Sequence, residues 1–380
     1  MRRIFSKRAF YSIALIFSIN AVLFAFWITR IPEVKARLEI SEGMLGLVLF
    51  CMPIGALIAM VLTNHLTQRF GAGKVTIVST LAFALAMLLP LQMPDIYWLG
   101  FSLFLVGIST GIMDISMNAV AATLEARHKQ IIMSTCHGFF SLGGMLGAGI
   151  GSLLIGWEVD ANLQMLFGVL ICVLLCLLLL TKEVFPVREE NADTEGGGWA
   201  LPTKAILGLV VISFCTMQGE GVIADWSAIY MEEVVQSNGF LIGLGYFGFS
   251  ASMTLGRFMG DGIIEQAGPR KVVLVSGSIV VLGLLLILPA LDWLSIAGFT
   301  LSGAGYALLV PVLFSEAAKT PGISPAKGIA SVATLGYFGF LVGPTIIGGI
   351  AEWLNLQASF VYLLVVTAIA VLIGTSNIRK

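Results

Sequence analysis

The sequence has little charge for its length. Of its 380 residues only 11% are Asp, Glu, Lys or Arg, whereas 58% are hydrophobic, and the mean hydropathy is +0.97. A soluble protein of this size would need far more charged surface. The composition therefore excludes an ordinary soluble domain and predicts a chain whose solvent is lipid.

An excess of charge of one sign is also missing, as is any metal-ligand pattern. The net charge is −1, which gives no electrostatic basis for binding nucleic acid. The cysteines include no CxxC pair, and all of them fall inside apolar runs, so we interpret them as free buried thiols. They are Cys51, Cys136, Cys172, Cys176 and Cys215. We expect neither a metal nor a cofactor.

Signatures of catalysis and of ATP hydrolysis are absent from the sequence as well. It contains no GxxxxGK[ST] loop, no HExxH pair and no Ser-His-Asp set. We therefore expect that the protein is not an enzyme or an ATP-driven pump, and the lack of a sensory domain argues against a membrane receptor. Any work that it does must draw on a gradient or on the substrate itself.

Long apolar runs are what the sequence has instead. A helix of about 20 residues crosses the hydrocarbon layer and satisfies its own backbone groups. The run from Phe10 to Ile28 is too long for a signal peptide and lacks a cleavage site, so we interpret it as a retained first membrane helix. Cutting at charge and proline clusters predicts twelve spans, at 9–30, 43–64, 74–93, 97–123, 131–156, 161–182, 203–230, 239–260, 271–290, 293–317, 328–350 and 357–377.

The positions of the basic residues predict the orientation of these spans in the membrane. Twelve spans place both termini on one side, and 18 of the 21 Lys and Arg residues then fall on that side, with Arg30, Lys35 and Arg37 opposite. The positive-inside rule puts both termini in the cytoplasm. We thus expect a multi-pass protein of a bacterial inner membrane, acting as a monomer.

An internal repeat relates the two halves of the chain at an offset near 198. Gly100-Phe-Ser-Leu recurs as Gly298-Phe-Thr-Leu, and the glycine-rich stretch 138–151 matches 336–349. The polar stretch between the halves is a linker. The predicted fold is all-α, with 12 transmembrane helices in two pseudo-symmetric six-helix bundles: residues 1–182, a cytoplasmic linker 183–203, and residues 204–380. A channel or a membrane enzyme has no need of two similar halves.

Several motifs are similar to a known transporter family. Residues 111–119 read Gly-Ile-Met-Asp-Ile-Ser-Met-Asn-Ala, residues 140–147 read Phe-Ser-Leu-Gly-x-x-x-Gly, and residues 311–315 read Pro-Val-Leu-Phe-Ser. In these the chain resembles the major facilitator superfamily and, within it, the fucose:proton symporter family. The resemblance implies a substrate site between the two halves near the midplane and a rocking, alternating-access cycle.

Two departures from the family pattern affect mechanism. The superfamily loop between helices two and three, roughly G-x-x-x-D-R-x-G-R-K, keeps Arg69 but has Asn64 and Gln68 in place of the Gly and the Asp. By resemblance Arg69, with Arg257 and Asp261 around the equivalent loop of the second half, is a candidate gating residue. In helix one, Ile28 occupies the position of the family's coupling Asp, so coupling must use another carboxylate.

Asp114 is the leading candidate for that carboxylate. It lies well inside span four among apolar residues, where a charge is costly and calls for a function. Asn118 follows four residues later and therefore lies on the same helix face. The alternative is an Asp that only pins helix four to a neighbour.

Helix seven carries two further acids, Glu220 and Asp225. Gly219 and Gly221 flank Glu220 and predict a locally loosened helix, as transporters place at binding sites. Glu220, the deeper acid, is a second candidate for proton coupling, and Asp225 is a candidate gate. We hypothesise a latch of Arg30 with Asp225 or Glu220. The alternative for Arg30 is an interfacial arginine whose head reaches water.

The remaining candidates are polar or aromatic residues that could bind a solute. Asn20 and Gln218 could hydrogen-bond a hydroxylated substrate or tie helices together. The aromatic side chains could stack on a sugar or a drug, although ordinary packing explains any one of them. The candidate substrate-binding set is Asn20, Trp27, Asn118, Phe140, Gln218, Trp226, Tyr246 and Tyr337.

Two functions fit these residues. The first is proton-coupled uptake of a small, sugar-like polar solute, with Asp114 as the leading protonation site. The second is a proton-coupled antiporter that exports amphipathic or drug-like compounds. A polar ring of Asn20, Asp114, Asn118 and Glu220 favours the first, and a mostly aromatic and aliphatic cavity would favour the second. The expected partners are a small-molecule substrate, protons and the lipid bilayer.

Overall fold

A computed structural model describes residues 7–130, 132–177, 184, 206–320 and 325–377 of the chain. Every regular element in these ranges is helical. The predicted linker, residues 183–203, lies outside the described residues apart from Val184. Nine of the described helices are long and apolar enough to cross a membrane. The predicted all-α membrane fold is therefore confirmed.

Seven helices precede the linker. A short 3₁₀ turn, Pro90–Gln92, follows the fourth of them. Their bounds are α1 Arg8–Leu38, α2 Glu42–Leu49, α3 Cys51–Phe70, α4 Ala72–Ala86, α5 Ile96–His128, α6 Met133–Gly156 and α7 Ala161–Leu175.

Six helices follow the linker. The first of these continues into a π-helical turn, Tyr230–Val234. Their bounds are α8 Leu207–Ile229, α9 Leu241–Ala267, α10 Pro269–Ile287, α11 Asp292–Ala318, α12 Pro325–Trp353 and α13 Leu356–Asn377.

Prolines explain several of the differences between the helices and the predicted spans. The predicted span 43–64 is divided at Phe50 into α2 and α3, because Pro53 has no N–H to donate to the carbonyl of Leu49. The predicted span 74–93 ends as an α-helix at Ala86, before Pro90. By contrast, α1 passes through Pro32 and ends at Leu38, eight residues beyond its predicted end.

The chain divides into two compact units on either side of the linker region. The first comprises Met1–Ile40 and Val48–Asp193, and the second comprises Ser41–Leu47 and Thr194–Lys380. The segment Ser41–Leu47, which the sequence assigned to the first bundle, groups with the second unit because it packs closely on α12. A Cβ on Gly46 would lie 2.6 Å from the Pro344 carbonyl oxygen.

Exposed aromatic residues mark helix ends in the same places in both units. Tyr97 and Trp98 begin α5 and Trp157 follows α6 in the first unit, whereas Trp293 begins α11 and Trp353 ends α12 in the second. Aromatic side chains of this kind are enriched at membrane–water interfaces. Their placement agrees with the internal repeat, which aligns α5 and α6 with α11 and α12.

The five cysteines are free thiols, as predicted. Four of them are buried and Cys51 is partly exposed. No group of three or more His, Cys, Asp or Glu residues that could hold a metal ion occurs within the described ranges.

Candidate functional site

Asp114 and Asn118 lie one turn apart on α5, in the interior of the first unit. Both side chains are partly buried. The Asn118 Nδ2 donates to the Asp114 carbonyl oxygen at 2.8 Å and approaches the Asp114 Oδ1 at 3.3 Å. The amide therefore supports the carboxyl group from the same helix, as the i, i+4 spacing predicts.

Asn20 is buried on α1 and is held by α5. Its Nδ2 donates to the Thr110 Oγ1 at 2.9 Å and lies 3.4 Å from the Met113 Sδ. The amide thus ties α1 to the stretch of α5 that carries Asp114, one turn away. No described residue donates to its carbonyl oxygen, so that oxygen stays available to a ligand.

Arg30 is nearly buried at the far end of α1, with 6% of its surface exposed, and its partners all lie in the first unit. Its Nε and Nη2 donate to the Gln164 Oε1 at 2.9 and 2.7 Å, and its Nη2 also donates to the Val159 carbonyl oxygen at 2.6 Å. Its Nη1 pairs with Glu33 at 2.8 Å. The predicted latch with an acid of α8 stays a prediction.

Glu220 lies in the interior of the second unit and has an arginine beside it. Its Oε2 is 3.5 Å from the Arg257 Nη2, and the two side chains are 12% and 21% exposed. Arg257, which the positive-inside count assigned to the cytoplasmic face, lies on α9 ten residues before the end of the helix and reaches this acid. The Glu220 Oε1 is buried without a hydrogen-bond partner among the described residues.

The helix around Glu220 is not loosened, contrary to the expectation from its glycines. The helix α8 runs unbroken from Leu207 to Ile229. Gly219 and Gly221 instead leave room for rings of neighbouring helices, because added Cβ atoms would lie 1.9 Å from the Tyr306 Oη and 2.7 Å from the Phe340 Cδ1. The irregular turn comes later, at Tyr230–Val234, and π-helical turns are frequent at functional sites.

Several other polar atoms around α8 are buried without a partner among the described residues. They are the Gln218 Oε1, the Trp226 Nε1 and the Ser227 Oγ. The buried hydroxyls of Tyr306 and Thr367 lie close to each other in the same region. The Gln218 Nε2 donates to the Tyr362 Oη at 3.4 Å. Buried polar atoms are normally satisfied, so a cluster of exceptions suggests unfilled places for water or a ligand.

Asp225 lies five residues after Glu220 on α8 and is only 8% exposed. No described residue makes a hydrogen bond or an ion pair with its carboxyl group. Tyr246 is buried on α9 and stacks on Phe249 with the ring centroids 6.1 Å apart.

The other predicted residues are dispersed. Trp27 and Trp226 are fully buried core residues, and Phe140 is partly buried, whereas Tyr337 is 52% exposed. Arg69 is exposed and stacks over Phe70, with its Cζ 5.2 Å from the ring centroid. The side chain of Asp261 lies outside what the structure describes.

Sequence reasoning missed four residues of these clusters: Thr110, Gln164, Tyr306 and Thr367. Hydroxyl and amide side chains are common in membrane helices, and nothing in the spacing of these four sets them apart. Of the four, only Tyr306 could have been singled out from the sequence. It follows Gly305, the repeat partner of Gly107, and its hydroxyl needs a partner within an apolar run.

Comparison with known proteins gives a consistent result. The model of the Major Facilitator Superfamily matches residues 11–315. The chain is 34% identical to the membrane protein MosC of Rhizobium meliloti over 96% of its own length and 88% of that protein. It is 31% identical to an uncharacterized MFS-type transporter of Yersinia pestis, over 94% of each chain.

Solved structures show the same fold. The nucleoside transporter NupG superposes with a TM-score of 0.74 at 14% identity, covering 97% of this chain and 99% of NupG. The fucose:proton symporter FucP of E. coli superposes with a TM-score of 0.65 at 16% identity, covering 97% and 98% of the two chains. The chain therefore belongs to the Major Facilitator Superfamily and is a transporter rather than an enzyme.

Proposed function

We propose that this protein is a proton-coupled secondary transporter that takes up a small, sugar-like polar solute by alternating access, with Asp114 as its leading protonation site. It works as a monomer in a bacterial inner membrane, with both termini in the cytoplasm. The single observation that carries the proposal is the Asp114–Asn118 pair. It is a carboxyl group placed in the interior of a membrane helix, where a charge is costly unless it serves a function.

The surroundings of this pair favour a polar solute over an amphipathic one. Asn20, bound to Thr110 one turn before Asp114, has a carbonyl oxygen open to a hydroxyl donor. The second unit, considered by itself, also contains unpartnered acceptor oxygens, on Gln218 and Glu220. Sugar hydroxyl groups complement acceptors of this kind. NupG and FucP, whose folds this chain shares, are named as transporters of a nucleoside and of fucose, both of which carry hydroxyl groups.

Transport by the purified full-length chain in proteoliposomes tests the proposal. An imposed pH gradient, inside alkaline, should drive accumulation of one member of a panel of monosaccharides, polyols and nucleosides, with protons entering alongside. A pH-sensitive dye inside the vesicles reports that proton entry. Repeating the assay with a sodium gradient at constant pH tests the coupling ion.

Asp114→Asn is the key variant, because it keeps the shape of the side chain and removes the titratable group. We expect it to abolish gradient-driven accumulation and to spare exchange of labelled for unlabelled substrate. Asp95→Asn is a matched control on the same helix. Asp95 caps the N-terminus of α5 by accepting from the Tyr97 and Trp98 amides, which Asn also does.

Three results would contradict the proposal. Unchanged pH-driven accumulation by Asp114→Asn would remove this residue from coupling. Accumulation driven by a sodium gradient alone would show that sodium, and not the proton, is the coupling ion. Proton release from the vesicle in exchange for entering amphipathic cations, with no response to polar solutes, would establish the antiporter instead.

A further inference from the structure

Lys7, the residue before α1, contacts His128, the last residue of α5. The Lys7 Nζ lies 2.8 Å from the His128 Nδ1. A lysine ammonium group has hydrogens to donate and no lone pair, so the Nδ1 must be the acceptor. The imidazole of His128 is therefore neutral in this contact and carries its hydrogen on Nε2. Both residues belong to the first unit.

Phe10 packs against the same imidazole. The two ring centroids are 5.3 Å apart, and the ring planes meet at 74°. Phe10 is fully buried, and its amide donates to the Lys7 carbonyl oxygen at 3.1 Å, which closes the first turn of α1. Two side chains from the start of α1 thus hold His128. We name Lys7, Phe10 and His128 the histidine clasp.

The histidine clasp is the second of two ties between α1 and α5. The first is the hydrogen bond from the Asn20 Nδ2 to the Thr110 Oγ1. Asn20 and Thr110 lie within the predicted membrane spans, whereas Lys7 and His128 lie outside them. In the proposed topology this end of both helices faces the cytoplasm, so the clasp meets cytoplasmic water.

The charged groups beside His128 are mostly cationic. Arg127 and Lys129 flank it on α5, and Arg8 begins α1 next to the lysine of the clasp. Glu125 is the one acid in the last turn of α5, and its Oε1 accepts from two backbone amides at the start of α6, at 2.5 and 2.7 Å. A proton on His128 would therefore be added next to cations, while the nearby carboxylate is engaged elsewhere.

We infer that the histidine clasp is a pH-dependent switch, closed while His128 is neutral and opened when His128 binds a proton. The proton and the Lys7 ammonium group compete for one lone pair, that of Nδ1. A proton taken from water forms an N–H bond there, and the hydrogen bond from Lys7 is lost. Lys7 keeps its charge, so two cations then stand side by side.

The sign of the pH dependence follows from this competition. A histidine has an ordinary pKa of about 6.5 and changes its charge between about pH 5 and 8. Because the hydrogen bond needs the neutral ring, the clasp is at full strength above the ordinary pKa and is lost as the pH falls below it. Acidification opens the clasp and alkalinisation closes it.

Opening the clasp frees the start of α1 from α5 and leaves the bond between Asn20 and Thr110 in place. Proton uptake into the cytoplasm acidifies the water at this end of the helices. The clasp would then respond to the protons that the transporter delivers. That use rests on the proposed function, whereas the pH dependence of the clasp does not.

Hydrogen exchange followed by mass spectrometry tests the switch in the purified full-length protein in lipid nanodiscs. The exchange is measured at about pH 5.5 and about pH 7.5, on either side of the usual imidazole titration, and corrected for the intrinsic pH dependence of amide exchange. The amides in the first two turns of α1 should be about fivefold less protected at the lower pH, the factor that one hydrogen bond of ordinary strength supplies.

Two variants should abolish this pH dependence in different ways. His128→Gln should keep the higher protection at both pH values, because its amide oxygen accepts from Lys7 and does not titrate. Lys7→Met should show the lower protection at both, because the donor is absent whatever the charge of the imidazole.

The other two histidines of the chain provide the controls. His65 is exposed on α3, so His65→Gln should behave as the wild type. His137 on α6 is the alternative source of a pH effect on α1, since its ring lies against Phe17 with the centroids 5.3 Å apart. His137→Gln should retain the pH dependence.

The same protection of α1 at both pH values in the wild type would overturn the inference. So would a pH-dependent loss that persists in His128→Gln or disappears in His137→Gln. If His128→Gln does not elute as a single species on size-exclusion chromatography, Lys7→Met decides, because a pH dependence that survives there does not act through this bond.

The exchange result and the transport result fail separately. A pH-dependent clasp together with transport that ignores protons would retain the switch and reject the proposed function. Proton-driven uptake together with protection that does not change with pH would do the reverse.

Discussion

The hydroxyl of Tyr306 lies against the backbone of Gly219, so that a Cβ atom at position 219 would be 1.9 Å from its oxygen. The glycine that predicted a loosened helix therefore leaves room on α8 for a side chain of α11.

Gly219→Ala should destabilise the second unit by about 1–3 kcal/mol, the usual range for overpacking a close contact. Thermal unfolding in detergent measures this. Tyr306→Phe should restore part of the loss, because it removes the nearest atom, although the ring carbon Cζ would still be only 2.5 Å away. Gly262→Ala, on α9, is the control, since a Cβ there meets nothing within 4 Å. Equal effects of the two alanine substitutions would contradict the packing argument.

Gly46 should be equally intolerant of substitution, because it lets the start of α2 approach α12. A Cβ there would meet the backbone carbonyl of Pro344 at 2.6 Å, and backbone cannot move aside as a side chain can. The Gly43 amide also donates to the Glu352 Oε2 at 3.0 Å in the same contact. We expect Gly46→Ala to make the segment Ser41–Leu47 accessible to hydrogen exchange.

Gly349→Ala on α12 is the matched control for that experiment, since its Cβ would lie in open space. Hydrogen exchange followed by mass spectrometry reads the protection of the segment directly. Unchanged protection in Gly46→Ala would show that the close approach contributes little to holding the segment.

The sequence predicted the helices well because membrane helices are specified by composition. Apolar runs and proline clusters predicted a helix wherever the described residues form one, and nine of the described helices have the length and composition of a membrane span. The predicted bounds differ where a proline divides a helix, as at Phe50, or is passed over, as at Pro32, and where a helix continues past its apolar stretch, as at Ala267. The contact partners of individual side chains were harder to predict from the sequence. An acid inside a span, such as Glu220, is conspicuous in the sequence, but nothing in the sequence pairs it with Arg257 on the next helix.

Arg30 should be a structural residue of the first unit. Arg30→Ala leaves the Gln164 Oε1 and the Val159 carbonyl oxygen without their donor, and each unsatisfied buried group costs about 1–3 kcal/mol. Arg30→Lys should recover only part of the loss, because an ammonium group cannot reproduce the guanidinium fork. Thermal unfolding of the variants in detergent provides the measurement.

Arg69→Ala is the control for Arg30, since that side chain is exposed and only stacks on Phe70. Its effect should stay within about 0.5 kcal/mol. A loss of transport in Arg30→Lys without a loss of stability would contradict the structural role and favour the predicted latch.

Asn20 could join α1 to α5, bind the substrate, or do both, and a double-mutant cycle with Thr110 separates these roles. Its Nδ2 donates to Thr110 across the α1–α5 contact, so Asn20→Ala and Thr110→Val should each lower stability by about 1 kcal/mol. The double variant should lose little more than either single one, because both changes remove one shared bond. Substrate affinity is measured on the same variants.

The two roles of Asn20, joining α1 to α5 and contacting the substrate, predict different effects of the variants on substrate affinity. If Asn20 only ties α1 to α5, Thr110→Val reproduces every effect of Asn20→Ala, on affinity as on stability. If its free carbonyl oxygen also accepts from the substrate, Asn20→Ala weakens binding further, and Thr110→Val, which leaves that oxygen in place, does not. We expect this second result, since the proposed sugar-like solute supplies the hydroxyl donor that the described residues do not. Identical affinities in the two single variants would remove Asn20 from the substrate site.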